Sequence, residues 1–278
     1  MSQQRHNNEN LPRSEHLWIE HLSPIRRRML RLFCFPYAGG GAHAFFNWQR
    51  HFPSQVDLCL VHLPGRGKRI AEPPFTRFSP LLENITNAIL KHAQGPFALF
   101  GHSMGALISF EVARELRRRS CPMPQALFIS GRRAPTIPSR EGPTFDLPHD
   151  QFVARLKKFN HASRQLLDDP ELLALFLPLL RADFEVVDSY IYAPEPPLPC
   201  PIYVYAGLQD EFVSEDGLRE WRQQTSSDCE YRNFPGDHFF IHSAADEFLS
   251  ALRSDVAACC ELAPQTQSSP TSTLQCPS

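Results

Sequence analysis

The amino-acid sequence predicts an α/β fold with a mainly parallel central sheet flanked by helices. Short apolar runs alternate with helical patterns of ten or more residues, as crossover connections between parallel strands require. This alternation stops between Gly131 and about Pro194, where only helical patterns occur. A Gly-x-Ser-x-Gly turn joins a strand to a helix at residues 101–105. These three observations predict one sheet-based domain with a helical insertion.

Length and composition set the outer limits of this interpretation. With 278 residues the chain can bury a sizeable core, and its net charge of −2 is not typical of a nucleic-acid or membrane binder. No apolar run approaches the roughly 18 residues of a membrane span, and the polar residues 1–10 do not resemble a secretory signal. The eight cysteines contain no Cys-x-x-Cys pair, so we expect reduced thiols in a cytoplasmic protein.

The pattern divides the chain into a leader, a domain and a tail. Residues 1 to about 26 are polar and predict a flexible leader with one short anchoring segment at 17–19. The domain covers 27–262, and the Ser/Thr/Gln/Pro-rich residues 263–278 predict a disordered tail. Predicted strands lie at 31–36, 56–63, 97–100, 126–130, 202–206 and 230–234. Predicted helices lie at 45–52, 80–92, 106–119, 149–159, 170–189, 214–224 and 244–260.

The insertion, at about 136–194, contains the most apolar predicted helix. Asp169 and Pro170 suit its N-cap and first position, as Ser79 and Pro80 do for the helix at 80–92. Pro178 lies in its middle and should kink it. Its apolar residues are more numerous than one core-facing stripe requires. The pattern fits a helix buried on all sides as well as a lid whose apolar underside covers a pocket.

The turn at 101–105 has the context of a nucleophile elbow. Four apolar residues precede Gly101 and a helical pattern follows Gly105, which places Ser103 at the apex of a strand–turn–helix unit. Such a serine adopts a strained backbone conformation, and the two glycines allow strand and helix to pass closely. Ser103 is therefore the candidate nucleophile.

A serine hydroxyl needs an imidazole to accept its proton and a carboxylate to orient that imidazole. Asp210 and His238 each follow a predicted strand, so both should lie at the edge of the sheet that carries the elbow. They also give the order Ser, acid, His that this fold uses.

The rival residues fit these roles less well. We expect the side chain of His102 to point away from Ser103, and Asp237 cannot easily reach the far nitrogen of its neighbour His238. Glu211 is the other rival acid. His43 and His62 are expected to be structural. His242 lies four residues after His238, which could suggest half of a metal site, but no other ligands cluster with it in the sequence.

Two backbone N–H groups should stabilise the tetrahedral oxyanion. Met104 follows the nucleophile directly and should supply one of them, and Ala38, in the glycine-rich loop after the first strand, is best placed to supply the other. That loop could also be a flexible connection or a phosphate cradle, but it lacks the Gly-Lys-Ser/Thr ending of a P-loop.

Seven stretches, in consistent order over residues 31–250, resemble the type II thioesterases. These are stand-alone enzymes of the α/β-hydrolase fold that accompany non-ribosomal peptide and polyketide synthetases. The stretches are CFPYAGG at 34–40, LPGR at 63–66, FGHSMGA at 100–106, SGRRAP at 130–135, LPLLRADF at 177–184, Gly207 with Asp210, and GDHFF at 236–240. Tyr37 departs from the histidine that relatives often carry there.

The resemblance implies a serine thioesterase with Ser103 as nucleophile, His238 as base and Asp210 as acid. It also implies an oxyanion hole at Ala38 and Met104 and a lid over an acyl pocket. The substrates would be acyl thioesters on the phosphopantetheine arm of carrier protein domains, hydrolysed for editing or release. No cofactor or metal, no nucleic-acid or membrane partner, and a monomeric state are expected.

Two alternatives stay open at this point. One is an acyl-CoA or oxyester hydrolase of the same fold, and the other is a carrier-binding protein without catalysis. Because carrier domains are generally acidic, a basic rim is expected, although each candidate could equally be a solvated surface charge. The candidates are Arg66, Lys68, Arg69, Arg132, Arg133, Lys157 and Lys158.

Overall fold

A seven-stranded sheet forms the centre of the computed structural model, which describes residues 17–22, 29–138, 142–159 and 169–262. The strand order is β1-β3-β2-β4-β5-β6-β7, and every neighbouring pair is parallel except β1 with β3. The strands are β1 (Ile19–His21), β2 (Leu30–Phe35), β3 (Val56–Val61), β4 (Phe97–His102), β5 (Leu127–Ser130), β6 (Ile202–Gly207) and β7 (Cys229–Phe234). The predicted mainly parallel sheet is confirmed.

Helices cover both faces of this sheet. They are α1 (Phe78–His92), α2 (Met104–Arg118), α3 (His149–Phe159), α4 (Pro170–Asp188), α5 (Glu215–Arg219), α6 (Phe240–Ser243) and α7 (Ala245–Leu262). The 3-10 segments are Ala42–His51, Gly67–Arg69 and Glu220–Gln224. One core packs α1 and α2 against the sheet, and the other packs α7 and the segment Ala42–His51 against the opposite face. The described residues thus form the three layers expected of crossover-connected parallel strands.

An antiparallel edge strand corrects the predicted leader. Strand β1 pairs with β3, with Ile19 opposite Val61, and Trp18 and Ile19 are buried. The short anchoring segment expected at 17–19 is therefore confirmed, and the expectation of a flexible leader is wrong for residues 20–22, which continue along β3. A strand of three residues is too short to show a periodic pattern. The rest of the leader, at 1–16 and 23–28, and the tail at 263–278 lie outside the described residues and stay predictions.

Local signals located the helix starts with mixed success. The Asp169 side chain accepts hydrogen bonds from the N–H groups of Glu171 and Leu172, which confirms the predicted N-cap of α4. Helix α1 begins at Phe78, two residues before the predicted first position Pro80, and the N–H of Phe78 donates to the Ser189 hydroxyl. A tertiary contact has replaced the local cap.

In place of the helix predicted at 45–52 the chain forms the 3-10 segment Ala42–His51. The helix predicted at 214–224 is divided into α5 and the 3-10 segment Glu220–Gln224 that follows it.

The segment that returns from α4 to β6 is held by arginines of α2. The Glu195 carboxylate accepts hydrogen bonds from Arg117 at 2.5 Å and from Arg118 at 2.6 Å. Arg114 and Arg117 also donate to the carbonyl oxygens of Ala193 and Pro196. The proline-rich return is thereby fixed to the helix beside it.

Among the described residues, no helix combines the length and the apolar character that a membrane span needs. The six cysteines whose side chains are described carry free thiols.

Candidate active site

The elbow between β4 and α2 holds Ser103 in a strained conformation. Its φ of 55° and ψ of −110° lie in a backbone region that residues other than glycine rarely adopt. A Cβ on Gly101 would lie 2.1 Å from the Gly105 carbonyl oxygen, and one on Gly105 would lie 2.2 Å from the Phe35 carbonyl oxygen. Both glycines are therefore required by close backbone approach, as the motif predicts.

A continuous hydrogen-bonded chain joins Ser103, His238 and Asp210. The Oγ of Ser103 lies 2.9 Å from Nε2 of His238, and Nδ1 of His238 lies 2.7 Å from Oδ2 of Asp210. The other oxygen of Asp210 accepts the N–H of Phe212 at 2.9 Å. His238 and Asp210 are buried, whereas Ser103 is half-buried and faces a cavity. The structure thus brings together the three side chains expected to cooperate.

His102 has a supporting position beside this chain. Its Nδ1 lies 2.9 Å from the Ser130 hydroxyl, and its ring centroid lies 5.1 Å from that of His238. Burial lowers the pKa of His102 well below its usual value, so the ring stays neutral. The serine oxygen is hydrogen-bonded to His238, as expected, and His102 packs behind that ring.

The other rivals are engaged elsewhere. His242 lies 3.0 Å from the Tyr37 hydroxyl, and His62 lies 2.8 Å from Glu20. The Asp237 carboxylate accepts the N–H of Phe239, which follows His238 in the chain. Glu211 is exposed. These contacts leave Asp210 as the carboxylate at the Nδ1 of His238.

The loop after β2 forms a tight turn over the elbow, which we call the oxyanion turn (residues 37–40). The Gly40 N–H donates to the Tyr37 carbonyl at 2.9 Å, with Ala38 and Gly39 between them. Gly39 has a φ of 74°, the left-handed value that the third residue of a type II turn requires. Ala38 and Met104 both line the cavity beside Ser103, where their N–H groups are the candidate oxyanion donors.

Two charged residues pack against the oxyanion turn, and sequence reasoning assigned neither to the site. Asp183, on α4, accepts the Gly39 N–H at 2.7 Å and two hydrogen bonds from Arg66 at 2.6 and 2.7 Å. Arg66 also donates to the Gly40 carbonyl at 3.1 Å. Both side chains are buried, which no local pattern in the sequence indicates.

The predicted basic rim therefore needs correction. Arg66 is buried against Asp183, and Arg69 is buried against Glu72 with its guanidinium 4.0 Å from the Trp18 ring centroid. Neither side chain can belong to an exposed rim. The remaining candidates are exposed or half-buried, namely Lys68, which pairs with Glu20, and Arg132, Arg133, Lys157 and Lys158.

A cavity of about 890 Å³ opens above Ser103. The lid helix α4 forms part of its wall through Phe176, Leu180, Phe184 and Val187. Near its N-terminal end α4 exposes Leu172 and Leu175, so it is not buried on all sides. This arrangement favours the lid interpretation over the buried helix.

Arg132 adds a cation to the cavity wall, because burial lowers its pKa only to about 10 and the guanidinium stays charged near neutral pH.

One group of side chains with metal-ligand chemistry occurs among the described residues, at the β1–β3 edge. The Nδ1 of His21 lies 2.8 Å from Asp57 Oδ2 and 3.3 Å from Cys59 Sγ. Arg31 lies 3.8 Å from the same Asp57 oxygen and opposes its charge. The cluster stands apart from the cavity, whose wall includes none of its members.

Comparisons with known proteins place the chain in a family. A model of the thioesterase domain matches residues 30–256. The gramicidin S biosynthesis protein GrsT of Aneurinibacillus migulanus is 42% identical over 235 residues, covering 84% of this chain and 92% of GrsT.

Two solved structures share the fold over most of the chain. The thioesterase RedJ from the prodiginine biosynthetic pathway of Streptomyces coelicolor gives a TM-score of 0.77 at 35% identity, covering 82% of this chain and 91% of RedJ. YbtT, a type II thioesterase from the yersiniabactin NRPS/PKS biosynthetic pathway, gives 0.76 at 32% identity, covering 87% of this chain and 99% of YbtT. The fold, the matched domain and these relatives show that the chain belongs to the thioesterase-domain family and is a type II thioesterase, a hydrolase of thioesters.

Proposed function

We propose that this enzyme hydrolyses acyl thioesters on the phosphopantetheine arm of carrier protein domains in a non-ribosomal peptide or polyketide pathway. The observation that carries the proposal is the hydrogen-bonded chain Ser103–His238–Asp210 at the floor of the cavity. The pathways named for GrsT, RedJ and YbtT support the carrier-bound substrate. The proposal includes action as a monomer in the cytoplasm, without metal or organic cofactor.

Acylation begins when Nε2 of His238 accepts the Ser103 proton and the serine oxygen attacks the thioester carbonyl carbon. The Asp210 carboxylate, 2.7 Å from Nδ1, holds the proton on that nitrogen, so Nε2 is free to accept. The N–H groups of Met104 and Ala38 then stabilise the oxyanion. Collapse of the tetrahedral intermediate breaks the carbon–sulfur bond, and the imidazolium donates its proton to the departing pantetheine sulfur.

Deacylation repeats these steps with water. His238 accepts a proton from water as the water oxygen attacks the acyl-serine carbonyl, and the same donors stabilise the second oxyanion. The imidazolium returns its proton to the Ser103 oxygen, which releases a free carboxylic acid. The apolar side chains of α4 provide the acyl chain with a wall from which water is excluded.

Ser103→Ala tests the proposal directly. We expect kcat/KM for an acylated carrier protein to fall by several orders of magnitude, because proton transfer and covalent catalysis are both lost. A fluorophosphonate probe should label the native protein and not this variant. Ser109→Ala is the matched control, since that hydroxyl lies on α2, directly after the elbow, and donates to the Ala106 carbonyl. Near-normal hydrolysis by Ser103→Ala would contradict the nucleophile assignment.

A substrate panel tests the carrier-bound thioester separately. Matched acyl groups are offered on a carrier protein, on CoA and as p-nitrophenyl esters. We expect the highest kcat/KM for the carrier-bound form, because only that substrate adds protein–protein contacts to the pantetheine arm. A higher value for CoA or oxyester substrates would favour the alternative hydrolase, and absence of any turnover or labelling would favour a binding protein.

A further inference from the structure

We infer that the buried ion pair of Arg66 and Asp183 positions the oxyanion turn, and that it does so only when the lid helix α4 is seated. Arg66 lies between β3 and the segment Gly67–Arg69, whereas Asp183 lies on α4. The ion pair therefore joins the sheet, the lid and the turn that carries Ala38. The inference rests on the proposed function, because it concerns the donor at Ala38.

Asp183 fixes the peptide bond that follows Ala38. Its Oδ2 accepts the Gly39 N–H at 2.7 Å, and that N–H belongs to the central peptide of the turn. The central peptide of such a turn can adopt two orientations, which distinguish types I and II. The carboxylate stabilises the orientation with Gly39 at positive φ. Loss of this hydrogen bond would free the central peptide to rotate and so loosen the turn that holds the Ala38 N–H in place.

Arg66 fixes the end of the same turn and opposes the charge of Asp183. Its Nη1 donates to the Gly40 carbonyl at 3.1 Å, while its two terminal nitrogens bind the two carboxylate oxygens at 2.6 and 2.7 Å. A buried carboxylate without this partner would stand beside the place where negative charge develops in the reaction. The bidentate pair keeps the hydrogen bond to Gly39 and cancels most of the opposing field.

This arrangement of the turn depends on the position of the lid helix α4. A Cβ on Gly39 would lie 2.4 Å from the Leu180 Cδ2 atom, so α4 rests directly on the turn. Leu180 and Asp183 are three residues apart, which places them on one face of α4. When α4 occupies this position, Leu180 packs on the turn and the Asp183 carboxylate accepts the Gly39 N–H at the same time. An unseated lid leaves the turn without its acceptor.

The test uses substitutions that alter the pair with little change in volume. They are Asp183→Asn, Arg66→Lys and the double variant Arg66→Met/Asp183→Leu, which replaces the ion pair with apolar side chains and protects the fold if a single variant fails to fold. Glu72→Gln is the matched control. It weakens the neighbouring ion pair of Arg69, which is also bidentate and has a buried arginine, but whose hydrogen bonds go to Glu72 and to the His62 carbonyl instead of the oxyanion turn.

Three quantities are measured for each variant: kcat, KM, and the inhibition constant of an acyl trifluoromethyl ketone, whose adduct with Ser103 carries an oxyanion. Removal of one oxyanion donor costs roughly 100- to 1,000-fold in kcat, so partial misorientation should cost about 10- to 100-fold. We expect kcat and the ketone affinity to fall by the same factor in Asp183→Asn and in the double variant, while KM stays within about threefold. Arg66→Lys should retain more activity than the double variant.

The outcomes separate this inference from simple stabilisation. A folded double variant with native kcat and native ketone affinity would overturn it, as would losses in Glu72→Gln equal to those in Asp183→Asn. A change confined to thermal stability would also overturn it. Failure of the proposed function would give a different result, because the native protein itself would then show neither thioester hydrolysis nor ketone binding at Ser103.

Discussion

Replacing Asp210 by asparagine probes the hydrogen-bonded chain at its far end. The environment of Asp210 determines how the new amide must orient. Its Oδ1 position faces the Phe212 N–H at 2.9 Å, which requires an acceptor. The amide oxygen therefore takes that place, and the NH₂ group faces Nδ1 of His238, now 2.7 Å from a donor instead of a carboxylate oxygen.

This orientation forces the wrong tautomer on His238. Its Nδ1 becomes the acceptor, so the proton moves to Nε2, which lies 2.9 Å from the Ser103 oxygen and can no longer accept the serine proton. A change of tautomer with intact geometry lowers kcat by about 10⁴-fold in a comparable triad. We expect a loss of the same order at pH 7, with a thermal midpoint close to that of the native protein.

The assay follows thiol release from an acylated carrier protein across the pH range 6 to 10. Glu211→Gln is the control, because it makes the same carboxylate-to-amide change at an exposed neighbour. A kcat for Asp210→Asn within about tenfold of the native value would refute the reasoning. A loss of similar size in Glu211→Gln would also refute it, since Asp210 would then not be the orienting acid.

Two further predictions concern stability and use urea unfolding. Gly105→Ala should lower the free energy of unfolding by at least about 3 kcal/mol or prevent folding, because the added Cβ would lie 2.2 Å from the carbonyl oxygen of Phe35, the last residue of β2. Gly142→Ala is the control and should be neutral, because its Cβ would have no atom within 4 Å. Equal stability of the two variants would contradict the close approach. The native protein should lose stability below about pH 6.5, since burial lowers the pKa of His102 well below the unfolded value of 6.5 and the unfolded chain then binds a proton that the folded one does not. The expected slope is at most about 1.4 kcal/mol per pH unit from His102, with His62 and His242 acting in the same direction, and equal stability at pH 5.5 and 7.5 would contradict it.

The sequence was informative wherever function depends on local chain geometry. The elbow requires glycines at 101 and 105 around Ser103, and loops after parallel strands share one edge of the sheet, so Asp210 and His238 could be placed beside the serine. These signals lie within a few residues of a strand end. The alternation of apolar runs and helices was enough to predict a mainly parallel sheet, but it did not indicate the order of the strands.

Long-range polar contacts could not be predicted in this way. Arg66 and Asp183 are 117 positions apart, and no residue close to either one in the sequence indicates that the two side chains pair. Only the folded chain shows that they are buried together against Gly39. The predicted cap of α1 was wrong for the same reason, because Ser189, directly after α4, provides the acceptor and the local Ser79 signal does not decide where the helix begins.

The arginines that hold the return segment have a consequence for where the chain can open. Glu195 is bound by Arg117 and Arg118, so displacement of α4 can extend no further along the chain than Ala193 without breaking the half-buried and exposed ion pairs of this glutamate. Amide protons of α4 should therefore exchange with solvent through local opening, while those of β6 exchange only when the whole domain unfolds. We therefore expect the lid and the sheet to open as two cooperative units, with the boundary between them at Glu195.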